Sequence, residues 1–270
     1  MVLKIGLVGC GAIGTEIARA IDSGDIAAEL VAVFDRNVDR AGELMKCLKA
    51  QPMLSDLADL VERSDIVVEA ASQRAVPEVA KATLGMGRDL MVMSVGALLD
   101  RYLYRMVEVL AKENGCRVYL PSGAISGLDG LKSASVGRID LVTLTTTKNP
   151  QGFKGAPYIQ DMEIDLDEIF EPTVIFEGPA EEAVKAFPAN VNVAATLSLT
   201  ARGSKVMVKI VADPDTEINI HQITAEGNFG RITTRVENVP FPRNPKTSYL
   251  AALSAIATLR SIVEPVKIGT

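Results

Sequence analysis

The first 120 residues alternate between short apolar runs and stretches whose apolar positions recur at helical spacing. The short runs predict buried strands and the periodic stretches predict amphipathic helices. Repeated strand–helix units indicate a parallel, doubly wound α/β sheet. The predicted strands are Leu3–Val8, Leu30–Phe34, Ile66–Ala70, Leu90–Ser94 and Arg117–Leu120, and the predicted helices are Ala12–Ile21, Val38–Leu48, Leu54–Arg63, Val76–Leu84 and Leu98–Lys112.

The pattern changes after Pro121. Longer, Thr-rich runs alternate polar and apolar positions there, which predicts a mostly antiparallel sheet in a second α+β domain. The predicted strands are Ile139–Thr147, Lys205–Ala212, Glu217–Ala225 and Arg231–Glu237, the predicted helices are Ala180–Ala186 and Val193–Thr200, and an apolar-rich helix is expected over Thr247–Ile262.

Composition narrows the function classes. The net charge is −6 and the basic residues form no block, so we expect no nucleic-acid partner. No apolar run approaches the roughly 18 residues of a membrane span, so we expect no membrane partner either. The three cysteines, Cys10, Cys47 and Cys116, form no CxxC or Cys/His cluster. We therefore predict no metal site and a reduced, cytoplasmic setting.

A GxGxxG fingerprint follows the first predicted strand and opens the first predicted helix. Gly9 permits the tight turn, Gly11 lets the backbone approach a pyrophosphate, and Gly14 permits close helix–strand packing. An acidic residue, Asp35, ends the second predicted strand, where it is expected to bind the ribose hydroxyls. The predicted cofactor site is Gly9, Cys10, Gly11, Ala12, Ile13, Gly14, Asp35 and Arg36.

The carboxylate of Asp35 favours NAD, because it repels the 2′-phosphate of NADP. Arg36 follows directly and could bind such a phosphate, so NADP stays open. NAD is thus the predicted cofactor. The alternative interpretation of the fingerprint is that its glycines serve packing alone.

We divide the chain into three parts. Residues 1–120 form a Rossmann domain, and residues 121–243 form a catalytic and dimerisation domain. Residues 244–270 form a C-terminal helical segment that packs back on the first domain.

His221 is the only histidine of the chain. Strand alternation places Ile218 and Ile220 on one face and Glu217, Asn219 and His221 on the other. We interpret the second face as polar and accessible, where an imidazole that titrates near neutral pH serves as a catalytic acid or base. A surface histidine without a role is the alternative.

Several segments together resemble the L-aspartate dehydrogenase family, and the resemblance spans essentially the whole chain. Its two-domain architecture is similar to that of dihydrodipicolinate reductase and homoserine dehydrogenase. The segments are the Gly9–Gly14 fingerprint, residues 121–129 (PSGAISGLD), 187–194 (FPANVNVA), 219–223 (NIHQI) and 244–248 (NPKTS).

The resemblance implies NAD(P)-dependent oxidation of L-aspartate to iminoaspartate, which water converts to oxaloacetate and ammonia. It also implies that the iminoaspartate supplies NAD biosynthesis. The family's active-site histidine falls on His221, and two further cofactor-contacting positions fall on Ala124 and Asn190. A tight turn and a helix cap are the alternative roles of those two residues.

A dicarboxylate substrate needs local cations or hydrogen-bond donors in an acidic protein. Lys148, at a predicted strand end, is the first candidate, and Lys132, Lys246 and Thr247 follow. The run Thr145–Pro150 departs from the Lys-Pro-Pro type of segment expected in the family, which leaves the carboxylate ligands open.

Three other functions stay open at this point. Dihydrodipicolinate reductase carries paired histidines, which this chain lacks. Homoserine dehydrogenase relies on lysines in other motifs, and an NAD-sensing protein without turnover is the alternative outside the enzymes. Because the second face of the predicted sheet needs a cover, we expect a homodimer.

Overall fold

The computed structural model describes residues 2–188, 191–201, 203–241 and 244–269. The chain divides into two compact units, Met1–Pro121 with Ala252–Lys267, and Ser122–Ala251 with Ile268–Thr270. Each unit has its own hydrophobic core, which is mainly aliphatic in the first unit and includes Phe153, Phe176 and Phe187 in the second. The cofactor fingerprint belongs to the first unit and His221 belongs to the second.

The first unit is a six-stranded parallel sheet in the order β3-β2-β1-β4-β5-β6. This is the order of a dinucleotide-binding doubly wound sheet, in which ligands bind outside the carboxyl ends of the strands. Its strands are β1 Leu3–Val8, β2 Ala28–Phe34, β3 Met53–Leu54, β4 Ile66–Glu69, β5 Asp89–Val92 and β6 Val118–Tyr119, and its helices are α1 Ala12–Asp22, α2 Val38–Lys46, α3 Leu57–Arg63, α4 Val76–Gly85 and α5 Arg101–Glu113.

Side chains fix where most of these helices begin. Asn37, Asp56 and Asp100 each accept backbone N–H groups at the starts of α2, α3 and α5, respectively. Such caps satisfy amides that the helix itself leaves free. By contrast, the N-cap residue of α1 is Gly11, which offers no side-chain cap, and the first turn of α1 holds no acidic residue.

The second unit is built on a five-stranded sheet in the order β11-β10-β7-β9-β8. Three neighbouring pairs are antiparallel, whereas β7 and β9 run parallel. Its elements are α6 Leu128–Ala134, β7 Ile139–Lys148, α7 Pro157–Asp161, β8 Thr173–Pro179, α8 Ala180–Ala186, α9 Val191–Thr200, β9 Val206–Ala212, β10 Asn219–Gly227, β11 Gly230–Asn238, and a small β12–β13 ribbon, Pro240–Phe241 with Asn244–Ser248.

The fold class predicted from the sequence is confirmed, a parallel Rossmann sheet plus a second mixed sheet. Several local elements differ from the prediction, and α7, β12 and β13 were not predicted at all. The edge strand β8 was missed, because it alternates only in part. Leu54 pairs with β2 before α3 starts, and Thr247 lies in β13 rather than in the last helix, α10, which is Tyr249–Val263.

The core of the first unit draws on both sequence segments. Ile5, Leu7 and Ile17 are fully buried there, and Ala255 and Leu259 of α10 belong to the same cluster. In the second unit, Val142, Leu144, Val208, Ile210 and Ile223 cover the core face of the sheet. Toward one end of the sheet, the buried side chains of this face become polar.

Candidate active site

Each of the three fingerprint glycines lacks a side chain for a different structural reason. Gly9 has φ +101°, and a Cβ there would lie 2.6 Å from the backbone of Ala70. A Cβ on Gly14 would collide with the carbonyl oxygen of Gly9. A Cβ on Gly11 would meet no atom within 4 Å. Packing therefore explains Gly9 and Gly14, while the open space at Gly11 suits a ligand that approaches the backbone.

The start of α1 is suited to an anion. Its first-turn amides, which include those of Ala12 and Ile13, have no partner within the helix, and Gly11 offers no side-chain cap. The helix dipole adds positive potential at the same end. A pyrophosphate fits this combination, which matches the predicted cofactor.

Asp35 holds the fingerprint loop in place. Its Oδ2 accepts the Cys10 N–H at 2.8 Å and its Oδ1 accepts the Asn37 N–H at 2.8 Å. Each oxygen keeps a second lone pair, so the carboxylate can still accept ribose hydroxyls. Burial, and then the Asp35 charge, raises the pKa of the Cys10 thiol to about 12. Cys10 is therefore a small buried side chain and not a nucleophile.

Arg36 is exposed and forms an ion pair with Glu78 of α4, with a distance of 3.3 Å between Nη2 and Oε2. Both side chains are mostly in solvent, so the pair is weak. Arg36 is therefore able to leave Glu78 for a 2′-phosphate, and the geometry is compatible with either cofactor.

A buried carboxylate, Glu69, was missed in the sequence because it lies inside an apolar strand pattern. Its Oε1 accepts the N–H groups of Ala71 and Ser72 at 2.9 and 3.0 Å and the Ser94 hydroxyl at 2.9 Å. Its Oε2 accepts the Ser94 N–H at 3.0 Å. Burial raises the pKa of Glu69, and these hydrogen bonds oppose that rise.

Glu69 joins the segments that follow β4 and β5, at the carboxyl edge of the sheet where a ligand is expected. The backbone at Ala70 and Ala71 also lies directly against Gly9. Glu69 therefore supports the fingerprint loop through the residues after β4. An acidic residue that ends an apolar strand beside small residues was the available signal.

The core face of the second sheet becomes polar toward one end. Along β7, Val142 and Leu144 are followed by Thr146 and Lys148, and all four are buried. Along β10, His221 and Asn219 continue the face that carries Ile223. His221 lies opposite Thr146, and Asn219 and Lys148 follow two residues away on their strands.

The predicted environment of His221 was wrong. The alternation was correct, but the face with Asn219 and His221 is the buried one, whereas Ile218 and Ile220 are partly exposed. His221 is 4% exposed. Burial, and then the positive charge of Lys148, lowers the pKa of His221 from 6.5 to about 3. The imidazole is therefore neutral at pH 7 and does not titrate in the range expected from the sequence.

Lys148 and Thr146 define the surroundings of this imidazole. The Oγ1 of Thr146 lies 3.0 Å from the Nδ1 of His221, and Thr146 is 4% exposed. Lys148 is only 5% exposed and is close enough to act on the charge of the ring. A buried cation beside a neutral imidazole is a suitable receptor for a carboxylate.

Ala124 is held from the same sheet. The Nδ2 of Asn238 donates to the Ala124 carbonyl at 3.0 Å and to the Asn219 carbonyl at 3.3 Å. Asn238 lies opposite Asn219 in the β10–β11 pair. Its buried Oδ1 has no donor among the described residues. Asn238, which the sequence interpretation missed, thus fixes the segment that contains Ala124.

The other predicted substrate ligands lie on elements outside strands β7 and β10. Lys132 is exposed in the last turn of α6, and Thr247 is half-buried in β13. Asn190 lies outside the described residues, and only the backbone of Lys246 is described, in β13.

Within the described part of the chain, no group of three or more potential ligand side chains could hold a metal ion. A search of the same residues finds no helix whose length and apolar character would suit a bilayer crossing.

Family models match almost the entire chain. One described as the NAD binding domain of homoserine dehydrogenase matches residues 9–121. Another described as the C-terminal domain of aspartate dehydrogenase matches residues 129–262. The boundary between the two matches falls where the chain passes from the first unit to the second.

Proteins described as L-aspartate dehydrogenase are similar over the full length. That of Methanococcoides burtonii is 57% identical, and that of Methanocaldococcus jannaschii is 44% identical, each over 99% of this chain and 100% of the relative. The crystal structure of aspartate dehydrogenase from Thermotoga maritima is similar, with a TM-score of 0.75 and 28% identity over 100% of both chains. A homoserine dehydrogenase from Thiobacillus denitrificans shares the fold, with a TM-score of 0.64, 14% identity and coverage of 97% of this chain and 73% of that one.

Replacement of two fingerprint glycines should separate folding from cofactor binding. We expect Gly14→Ala to lower the free energy of unfolding by about 1–3 kcal/mol, because its methyl group meets the Gly9 carbonyl. We expect Gly11→Ala to unfold like the wild type but to bind NADH about tenfold more weakly, because its methyl group fills the phosphate approach. Denaturant unfolding and fluorescence titration measure the two effects, and unaltered NADH affinity in Gly11→Ala contradicts the assignment.

Glu69 offers a second test of the same unit. In Glu69→Gln one carboxylate oxygen becomes an NH2 donor, so either the Ser94 N–H or the N–H groups of Ala71 and Ser72 face a donor instead of an acceptor. We expect NADH binding to weaken by about 3- to 10-fold, with kcat at saturating cofactor nearly unchanged. Ser94→Ala, which removes only the hydroxyl bond, is the graded control. Equal NADH affinity in wild type and Glu69→Gln would show that Glu69 does not support the loop.

Proposed function

The chain belongs to the aspartate dehydrogenase family, and on that premise we propose that it oxidises L-aspartate with NAD(P) as the hydride acceptor. L-Aspartate loses a hydride from Cα and a proton from its nitrogen, which gives iminoaspartate. Water then adds to the imine carbon and ammonia leaves, which gives oxaloacetate. The observation that carries the proposal is the buried face that joins His221, Thr146 and Lys148.

The first unit fits the cofactor. Open space at Gly11 and the uncapped start of α1 suit the pyrophosphate, and the free lone pairs of Asp35 suit the ribose hydroxyls. The bound nicotinamide supplies the hydride acceptor, and the protein supplies orientation and electrostatics. The Asp35 carboxylate favours NAD, while Arg36 could bind the 2′-phosphate of NADP. Ala124 and Asn190 remain proposed cofactor contacts.

The second unit fits a dicarboxylate. Lys148 provides a positive charge on the buried face, and a charged donor of this kind can bind a substrate carboxylate. Asn219 lies at the adjacent position of β10, and His221 adds a neutral ring that can donate or accept a hydrogen bond. These three side chains are the proposed receptor for substrate carboxylate and amine. Lys132, Lys246 and Thr247 remain further candidates for the substrate carboxylates.

The pKa of His221 determines what it can do. A ring that is neutral down to about pH 3 is a poor general base at pH 7. The carboxylates of a bound substrate add negative charge beside Lys148 and the ring, which raises the pKa of His221 toward neutrality. His221 therefore orients the substrate first, and any proton transfer depends on the bound dicarboxylate.

Wider roles follow from the reaction and the composition. We place the enzyme in the cytoplasm, where its iminoaspartate supplies pyridine nucleotide biosynthesis. We expect no nucleic-acid partner, since the net charge is −6.

The sheet face opposite His221 carries half-exposed Thr145, Ile220 and Met207, which suits a homodimer interface. The homoserine dehydrogenase and dihydrodipicolinate reductase reactions are not favoured, because the full-length relatives are L-aspartate dehydrogenases.

The proposal is tested by the absorbance of reduced nicotinamide when the enzyme, NAD and L-aspartate are mixed. We expect His221→Ala to lower kcat by about 10²- to 10⁴-fold with little effect on NADH affinity. We expect Lys148→Met to lower kcat/KM for L-aspartate by about 10- to 100-fold, because a charged hydrogen-bond donor is lost.

Lys185→Met, which changes an exposed lysine of α8, is the matched control and should behave like the wild type. Reduction of NAD with L-homoserine but not with L-aspartate would overturn the assigned reaction. Turnover of His221→Ala within a few-fold of the wild type would remove the histidine from the mechanism.

A further inference from the structure

We propose that the Thr146 hydroxyl donates a hydrogen bond to Nδ1 of His221 and thereby holds the ring as the Nε2–H tautomer. In this tautomer, Nε2–H is the donor to the substrate. Thr146 is then a positioning residue that acts through His221. This inference rests on the proposed function for the identity of the substrate, whereas the tautomer itself is a property of the protein alone.

The strand pairing brings the two groups together. Thr146 of β7 and His221 of β10 are directly opposite residues of an antiparallel pair, and both are buried. The distance of 3.0 Å between Oγ1 and Nδ1 is that of a hydrogen bond. Because both backbones are fixed in the middle of a sheet, this contact sets the orientation of the ring.

The direction of the hydrogen bond follows from a count of protons. A threonine hydroxyl has a single proton, and a neutral imidazole has one N–H and one acceptor nitrogen. If Nδ1–H donated to Thr146, the hydroxyl proton would need another acceptor. Within the described residues, the Thr146 side chain has no hydrogen-bond partner besides His221.

The residues that lie directly opposite the pair on the outer strands offer no acceptor side chain either. Ile210 lies opposite Thr146 on β9, and Val236 lies opposite His221 on β11, and both side chains are apolar. The nearby cation, Lys148, has donors only. An unpaired buried hydroxyl proton costs free energy, so donation from Oγ1 to Nδ1 is the favoured arrangement.

A defined chemical role follows for His221. With Nδ1 accepting the hydrogen bond of Thr146, the ring presents Nε2–H to the substrate. This group can donate a hydrogen bond to a substrate carboxylate, but Nε2 already carries a proton and cannot accept another from the substrate. The ring becomes cationic only by taking a proton on Nδ1, and that step requires the Thr146 hydroxyl to turn away. Lys148 and Nε2–H together then form two donors for one dicarboxylate.

The single histidine makes the test direct, since selective ¹⁵N labelling of histidine gives the signals of one imidazole. At pH 7 we expect Nε2 to give the shift of a protonated nitrogen and Nδ1 that of a hydrogen-bonded, unprotonated nitrogen. We expect Thr146→Ser to keep this pattern. We expect Thr146→Val, which has the same shape without the hydroxyl, to lose the hydrogen-bonded shift at Nδ1.

Steady-state kinetics provide a second test of the role of Thr146. We expect Thr146→Val to lower kcat/KM for L-aspartate by about 3- to 10-fold at unchanged NADH affinity, and Thr146→Ser to recover most of it. Thr147→Val is the matched control, because Thr147 lies next along β7 and on the other face of the sheet. Its rates should equal those of the wild type.

A protonated Nδ1 in the wild-type protein overturns the inference, whatever the substrate proves to be. An unaltered Nδ1 shift in Thr146→Val overturns it as well. An Nε2–H tautomer in a protein that does not oxidise L-aspartate supports the inference and contradicts the proposed function instead, so the two failures are distinguishable.

Discussion

The register between β7 and β10 is the constraint on which the chemistry of the second unit depends. It places His221 opposite Thr146, and Asn219 and Lys148, two residues farther along their strands, lie on the same buried face. A shift of one residue would turn every one of these side chains to the other face. The apolar rows around Leu144 and Ile223 hold that register, because they must stay in the core.

The two units use polar groups in opposite ways. In the first unit, the carboxylates of Asp35 and Glu69 accept backbone N–H groups and so fix the fingerprint loop, which leaves the amides at the start of α1 for a ligand. In the second unit, the strand backbones fix the side chains of His221 and Lys148. The first arrangement suits a phosphate-bearing cofactor, and the second suits a small substrate that is recognised by side chains.

Much of the fold could be predicted from the sequence, because apolar runs and glycine spacing are local signals. The fingerprint glycines and Asp35 form the expected loop for that reason. The environment of His221 could not be predicted in the same way. Alternation shows which residues share a face, but which face is covered depends on the rest of the unit. Glu69 and Thr146 were missed because their importance comes from partners 25 and 75 residues away in the chain.

The central claim is that a dicarboxylate binds beside the neutral imidazole of His221. The most direct measurement is a titration of succinate, an unreactive dicarboxylate, into the NADH-bound protein with ¹⁵N-labelled histidine. We expect the single set of imidazole signals to shift and saturate, and Lys148→Met to require a much higher succinate concentration. Calorimetric binding of succinate that leaves the imidazole signals unmoved would contradict the account.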